Sequence, residues 1–251
     1  MVRLKWCDDQ WERIQHPLPG KASDRGWYGH DNRLFVEAIL RLARQGTSWR
    51  DLPAEFGNRN SVYQHFAHWR KHGVWSGMFE ELAEKLIYEE VFIDSAVIGV
   101  HLHAAGAPTK TEPRQSAIGR SRGGLTSKLH ARVDGLESPV RCPLSTGNAH
   151  AVIQAEPLLG LEIEKVVSET KPKFTGLDQD NPQHGVYAVI SPHANSRYLR
   201  KFNPQAYKAC NPVERFFNRI EPSGLSPHAT IKLDGYYLAF VMNASILICL
   251  T

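Results

Sequence analysis

One carboxylate constrains this chain more than any other feature: Asp94, set inside the run Val-Phe-Ile-Asp-Ser-Ala-Val-Ile-Gly-Val at residues 91–100. β-Branched and apolar residues at that density predict a buried-type strand. A lone charge there is costly, and without a partner it would be driven back to its protonated form, so pairing or metal coordination is favoured over accident. Further strands are expected at Leu129–Val133 and Val140–Leu144, a helix at His150–Leu159, and strands near Lys165–Ser168 and Val186–Ile190. The stretch Asn211–Arg219 predicts a helix that buries Val213, Phe216 and Phe217, with Glu214 one residue off that stripe. A strand Asp and a helix Glu meeting at a sheet edge would offer hard oxygen ligands of the kind Mg²⁺ takes.

Ahead of this region the periodicity is helical. Leu34, Phe35, Ala38, Ile39, Leu42 and Ala43 recur at spacings of three and four, Asp31 or Asn32 stands where a cap belongs, and Gly46 where a helix ends. A short helical turn at Thr47–Pro53 and Gly57 then lead to a second helix opened by Asn58 or Asn60. Val62, Phe66 and Trp69 share one face of it. Arg59, Gln64, His65, His68 and Lys71 lie mainly toward the other, with Arg70 in the same basic set, and no acid occurs from Arg59 to His72. Residues 1–75 hold 12 Lys or Arg against 8 Asp or Glu, while the rest balances at 18 against 18, so the whole excess of positive charge is N-terminal. Helix, turn, helix with charge of one sign fits a segment that meets a polyanion, nucleic acid first. Trp49, Trp69 and Trp75 are expected in the core.

Cys7, Cys142, Cys210 and Cys249 have no paired spacing for zinc and read as thiols. The first residues lack an apolar leader core, and the apolar run Tyr236–Leu250 is too short to span a bilayer. The expectation is a cytoplasmic protein with no membrane partner. Gly119–Gly124 places Arg120 and Arg122 among glycines, a loop able to wrap a phosphate or simply to flex. His101 and His103 alternate as strand ligands would, but lack a third ligand nearby.

Several strings resemble one family in its own order along nearly the whole chain: residues 31–40, 49–57, 93–95, 103–107, 117–126, 154–159 and 214–219 are similar to segments of the insertion-sequence-five group of bacterial transposases. The resemblance implies an α/β fold, an RNase H-like catalytic domain with a mixed sheet and flanking helices over residues 88–251, preceded by a small all-α helix-turn-helix-like domain over residues 1–87. It implies DDE chemistry, the metal-dependent cleavage and transfer of strands at terminal inverted repeats. Mg²⁺ or Mn²⁺ would be held by Asp94, Glu169 and Glu214. Double-stranded DNA is the implied partner, met by Arg59, Gln64, His65, His68, Arg70, Lys71, Arg120, Arg122, Tyr207 and Arg215. A homodimer at the joined ends and association with the nucleoid follow from the same likeness.

The chain departs from the family where the chemistry is most exacting. Only Glu169 stands where the middle aspartate is expected, and its extra methylene displaces the carboxylate by more than the roughly 0.5 Å that a preorganised site tolerates. Asp178 and Asp180 are weaker stand-ins. The family's Tyr, Arg, Glu and Lys signature falls here on Tyr207, Cys210, Glu214 and Glu221. These stretches keep family length but lose family chemistry, as compensating frameshifts would make them: regrouping triplets from their third base lets residues 223–232 encode Phe-Arg-x-Ile-Ala-Thr-Arg-Tyr-Asp-Lys. Pro222, Gly224 and Pro227 would also stop the helix bearing Glu214. The reading is an impaired transposase, with a catalytically dead relic that only binds DNA as the alternative.

Overall fold

The computed structural model describes residues 6–20, 31–84, 90–99, 117–121, 124–149, 165–168, 177–178, 181–182, 187–190, 211–220 and 234–250. They fall into two compact units, one taking the chain up to Glu84 with Ile220 onward, the other Lys85–Val100 and Thr109–Arg219. The expected partition at 87/88 placed the C-terminal residues in the second body. They pack with the first.

The first unit is helical: α1 (Asp8–Ile14), α2 (Asn32–Gln45), two 3₁₀ turns (Trp49–Asp51 and Ala54–Phe56), α3 (Arg59–Lys71) and α4 (Val74–Ala83). Asp31 caps α2 by accepting the Leu34 amide at 2.9 Å, and Gly46 closes it at φ 59, a left-handed conformation that glycine adopts at little cost. Asn58 caps α3 through the Asn60 amide at 2.9 Å. Val62, Phe66 and Trp69 are the residues α3 buries, the stripe its periodicity demands. Arg33 ties α1 to α2, its guanidinium meeting Asp8 at 2.6 Å and Glu37 at 3.5 Å.

The last helix of the sequence, α6 (Asp234–Cys249), contacts α2, α3 and α4. It is apolar on nearly every side because nearly every side is covered. Phe240 lies 4.8 Å from Phe66 between ring centroids, and Trp75 lies 5.7 Å from Phe66 and 5.3 Å from Trp69. Trp49 joins from its 3₁₀ turn at 5.4 Å from Phe66 and 6.0 Å from Phe240. Tryptophans 49, 69 and 75 therefore pack as expected, Trp69 and Trp75 fully and Trp49 in part. The Gln10 amide donates to the Leu250 carbonyl at 3.1 Å, joining α1 to the end of the chain. Among the described residues no helix is long and apolar enough to cross a membrane.

The second unit is built on a mixed sheet: β1 (Glu90–Gly99), β2 (Gly119–Ser121), β3 (Gly124–Asp134), β4 (Pro139–Arg141), β5 (Leu144–Thr146), β6 (Lys165–Ser168) and β9 (Tyr187–Ile190). β7 (Leu177–Asp178) and β8 (Asn181–Pro182) form a separate small hairpin. The order is β2-β3-β1-β6-β9, with β4 and β5 also paired to β3. β1 pairs antiparallel with β3 from Val91↔Asp134 to Gly99↔Thr126, and parallel with β6 from Glu90↔Lys165 to Ile93↔Ser168. β6 then pairs parallel with β9. α5 (Asn211–Ile220) buries Val213, Phe216 and Ile220 and leaves Phe217 half-buried. The helix expected at 150–159 lies outside the described residues.

Two opposite stability changes are expected within the helical unit. Phe66 is fully buried, so Phe66→Ala should cost about 3–5 kcal/mol in a urea melt; a loss under about 1 kcal/mol would contradict its central place. Asn243 on α6 is 0% exposed and neither end of its amide has a hydrogen-bond partner. Asn243→Leu should therefore stabilise by about 1–3 kcal/mol, and a destabilised variant would show that the amide is satisfied in solution.

Candidate functional site

Asp94 sits where β1 leaves the core. Val91, Phe92 and Ile93 are buried, Asp94 to Ala96 are half-buried, and Val97 is 59% exposed. The carboxylate is thus less buried than a buried-type strand implied. Across the sheet Asp94 faces Ala131 in the β3 register. On the other side the pairing with β6 runs to Ile93↔Ser168. Asp94 and Glu169 are the next residues along the two parallel strands' chains. Glu169 itself lies outside the described residues, as do Asp180, Tyr207, Arg122, His101 and His103.

Beside Asp94, Ser95 pairs with His130, a histidine 1% exposed whose Nε2 lies 2.7 Å from the Ser145 hydroxyl. Burial, aided by the charge of Lys128, pushes the His130 imidazole down to about 4. It is neutral at neutral pH and serves as a polar link between β3 and β5.

Glu214 is exposed in the first turn of α5. Its neighbours Arg215 and Arg219 turn to one carboxylate, that of Glu137: Arg215 Nη1 lies 2.5 Å from Oε1 and Arg219 Nη1 3.9 Å from Oε2. Arg215, expected to face DNA, has a protein partner. Glu137 belongs to the turn between β3 and β4, where the Asp134 side chain accepts the Leu136 and Ser138 amides at 2.9 and 2.7 Å. Sequence reasoning did not single out Glu137; Asp134-Gly135 signals a turn, but no periodicity marks the residue that follows it by two. Among the described residues no group of three His, Cys, Asp or Glu is gathered for a metal.

On α3, Arg59, Gln64, His68 and Lys71 are exposed. His65 and Arg70, placed with them by sequence, are engaged by the protein. The His65 ring stacks on Phe35 at 4.0 Å and meets Trp69 edge-on at 4.9 Å. Burial, and then the nearby His68, lower its pKa. The Arg70 guanidinium lies 4.6 Å from the Tyr236 ring centroid, a cation–π contact with α6. Arg120 is exposed on β2, whose residues Gly119 to Ser121 pair antiparallel with Thr126 to Gly124 of β3. Cys7, Cys142 and Cys249 are thiols, as expected.

The molecule is thus a mixed α/β sheet body accompanied by a helical unit with one basic, acid-free helix face. Residues 7–79 match the family described as "Putative transposase of IS4/5 family". The protein y4sN of Sinorhizobium fredii (strain NBRC 101917 / NGR234) is 41% identical over 100 residues, covering 40% of this chain and 80% of that protein. A 16.2 kDa protein of insertion element IS402 from Burkholderia cepacia is 32% identical over 111 residues, covering 41% of this chain and 76% of that protein. No solved structure matches. The chain belongs to the IS4/5 family of transposases.

The pH dependence of folding should carry the signature of His130. Its folded pKa of about 4 lies below the ordinary 6.5, so between those values the unfolded chain binds more protons and stability falls as pH falls. Above the window the neutral ring costs nothing. Urea melts of the wild type should lose stability from pH 6.5 toward 4 more steeply than those of His130→Gln; equal slopes would show that the imidazole titrates normally.

Proposed function

We propose that this chain is a transposase of the DDE type, with an RNase H-like body that holds a divalent metal and a helix-turn-helix-like unit that holds DNA. The observation carrying the reading is the parallel register of β1 and β6, which ends at Ile93↔Ser168 and leaves Asp94 and Glu169 as successors of one paired couple. The strand order supports it as well: antiparallel strands on one side of β1 and parallel ones on the other make the mixed sheet that an RNase H-like domain requires.

Asp94, Glu169 and Glu214 supply only hard oxygens, the donor chemistry that Mg²⁺ or Mn²⁺ prefers. Bound there, the metal would polarise the scissile phosphate and support the attacking and leaving oxygens. The protein's own work is to hold these carboxylates in place. Arg59, Gln64, His68 and Lys71 present cations and donors to the duplex, Arg59 and Lys71 as permanent charges. His65 is neutral and packed, so its contribution is to hold the helix. Arg120 extends the cationic surface of the sheet unit. Action at two ends of an element calls for a homodimer inside the cell.

The chain's activity is impaired in this reading. Glu169 in place of aspartate, with Cys210 and Glu221 at basic family positions, weakens the metal site and the grip on phosphate. The second reading, a relic that binds DNA without cutting it, rests on those same residues.

DNA carrying the ends of the element that encodes this chain, incubated with Mg²⁺ or Mn²⁺, separates the two. Nicking that disappears in Asp94→Ala supports the enzyme, and a salt-sensitive gel shift without nicking supports the relic. In either case Arg59→Ala and Lys71→Ala should each lower the slope of log affinity against log salt by about one. Binding indifferent to salt would remove the DNA reading altogether.

A further inference from the structure

We propose that Glu137 is a positioning residue that sets the roll of α5 and thereby the direction of Glu214; the inference rests on the metal-site reading above. Glu137 is the one non-glycine residue with positive φ among those described, at φ 70. It follows the turn closed by the Glu137 amide on the Asp134 carbonyl at 3.2 Å. This is the left-handed position that a hairpin turn ordinarily gives to glycine. A side chain kept at a place where it strains the backbone implies a use for that side chain.

The use is visible in its contacts. Glu137 receives both Arg215 and Arg219, one turn apart on α5. The helix also buries the stripe Val213, Phe216 and Ile220. Apolar contacts fix how far a helix stands off but resist rolling weakly, since they are not directional. With about 3.6 residues per turn, the two arginines fall on one flank of the stripe and Glu214 on the other. A clamp on the arginine flank therefore fixes the angle of the glutamate. A roll of about 10° moves a group lying about 6 Å from the helix axis by about 1 Å, twice what a preorganised site tolerates. The arginines remain substantially exposed, with 55% and 41% of their side chains accessible, so the clamp adds little to overall stability. Its effect is on orientation.

Two variants test this on the full-length chain, read by Mn²⁺ binding in electron paramagnetic resonance and by thermal melting. Glu137→Gln removes the charge, and Glu137→Gly removes the side chain while relieving the backbone, so at least the second folds without strain. Both should raise the Mn²⁺ dissociation constant by about threefold to fivefold while Tm moves by no more than about 4 °C. Asp94→Ala, measured alongside, should abolish the same binding. If Asp94→Ala abolishes binding but both Glu137 variants bind Mn²⁺ within about twofold of wild type, the positioning role is wrong and the metal site stands. If Mn²⁺ binding is absent or indifferent to Asp94→Ala, the metal site itself is wrong, and the role of Glu137 goes with it.

Discussion

The second unit depends on β1 being bonded on both edges. On one side it exchanges hydrogen bonds with β3 along nearly its whole length, and on the other it meets β6 over its first four residues. That asymmetry sets the surroundings of Asp94. Val91 to Ile93 lie between two neighbours and are buried; beyond Ile93 the described pairing is on one side only, and burial falls away. A carboxylate at this transition escapes the full desolvation cost of the core yet keeps the rigid backbone of a central strand.

Much of this was legible in the sequence, for identifiable reasons. The boundaries of α2 and α3 followed from residues whose side chains act within three positions, Asp31, Gly46 and Asn58, and such local chemistry survives any tertiary context. The stripe of Val62, Phe66 and Trp69 was equally readable, since helical period alone selects a face. The strand Lys165–Ser168 was placed from β-branched composition. Three things were not legible. His65 and Arg70 lie in a basic stretch, but their partners Phe35 and Tyr236 come from other helices, and no local pattern tells a cation that faces solvent from one that lies over a ring. Arg215 was assigned by likeness, and its carboxylate partner lies in a turn 78 residues away. The place of α6 was hidden because an apolar helix is compatible with any core, and burial on all sides says nothing of which core it is.

The same trade recurs on α3 and α5. On α3 the protein takes one cation of several for itself, Arg70 over Tyr236, and on α5 it takes both, Arg215 and Arg219 on Glu137. Charges of one sign repel each other and loosen the elements that carry them. Turning these charges to partners within the protein helps hold each helix, so a count of basic residues overstates the positive charge that either helix presents.

The docking of α6 against α2, α3 and α4 has a consequence for how the molecule comes into being. Rings contributed before Glu84 cannot meet Phe240 until the ribosome has read through the entire intervening sheet unit, a delay on the order of ten seconds at ordinary elongation rates. During that interval Phe66 lacks the rings of Tyr236 and Phe240. The basic helix face is therefore held on a finished support only after synthesis has passed the codons for the sheet, and a polypeptide that terminates early carries the cationic segment on an incomplete core.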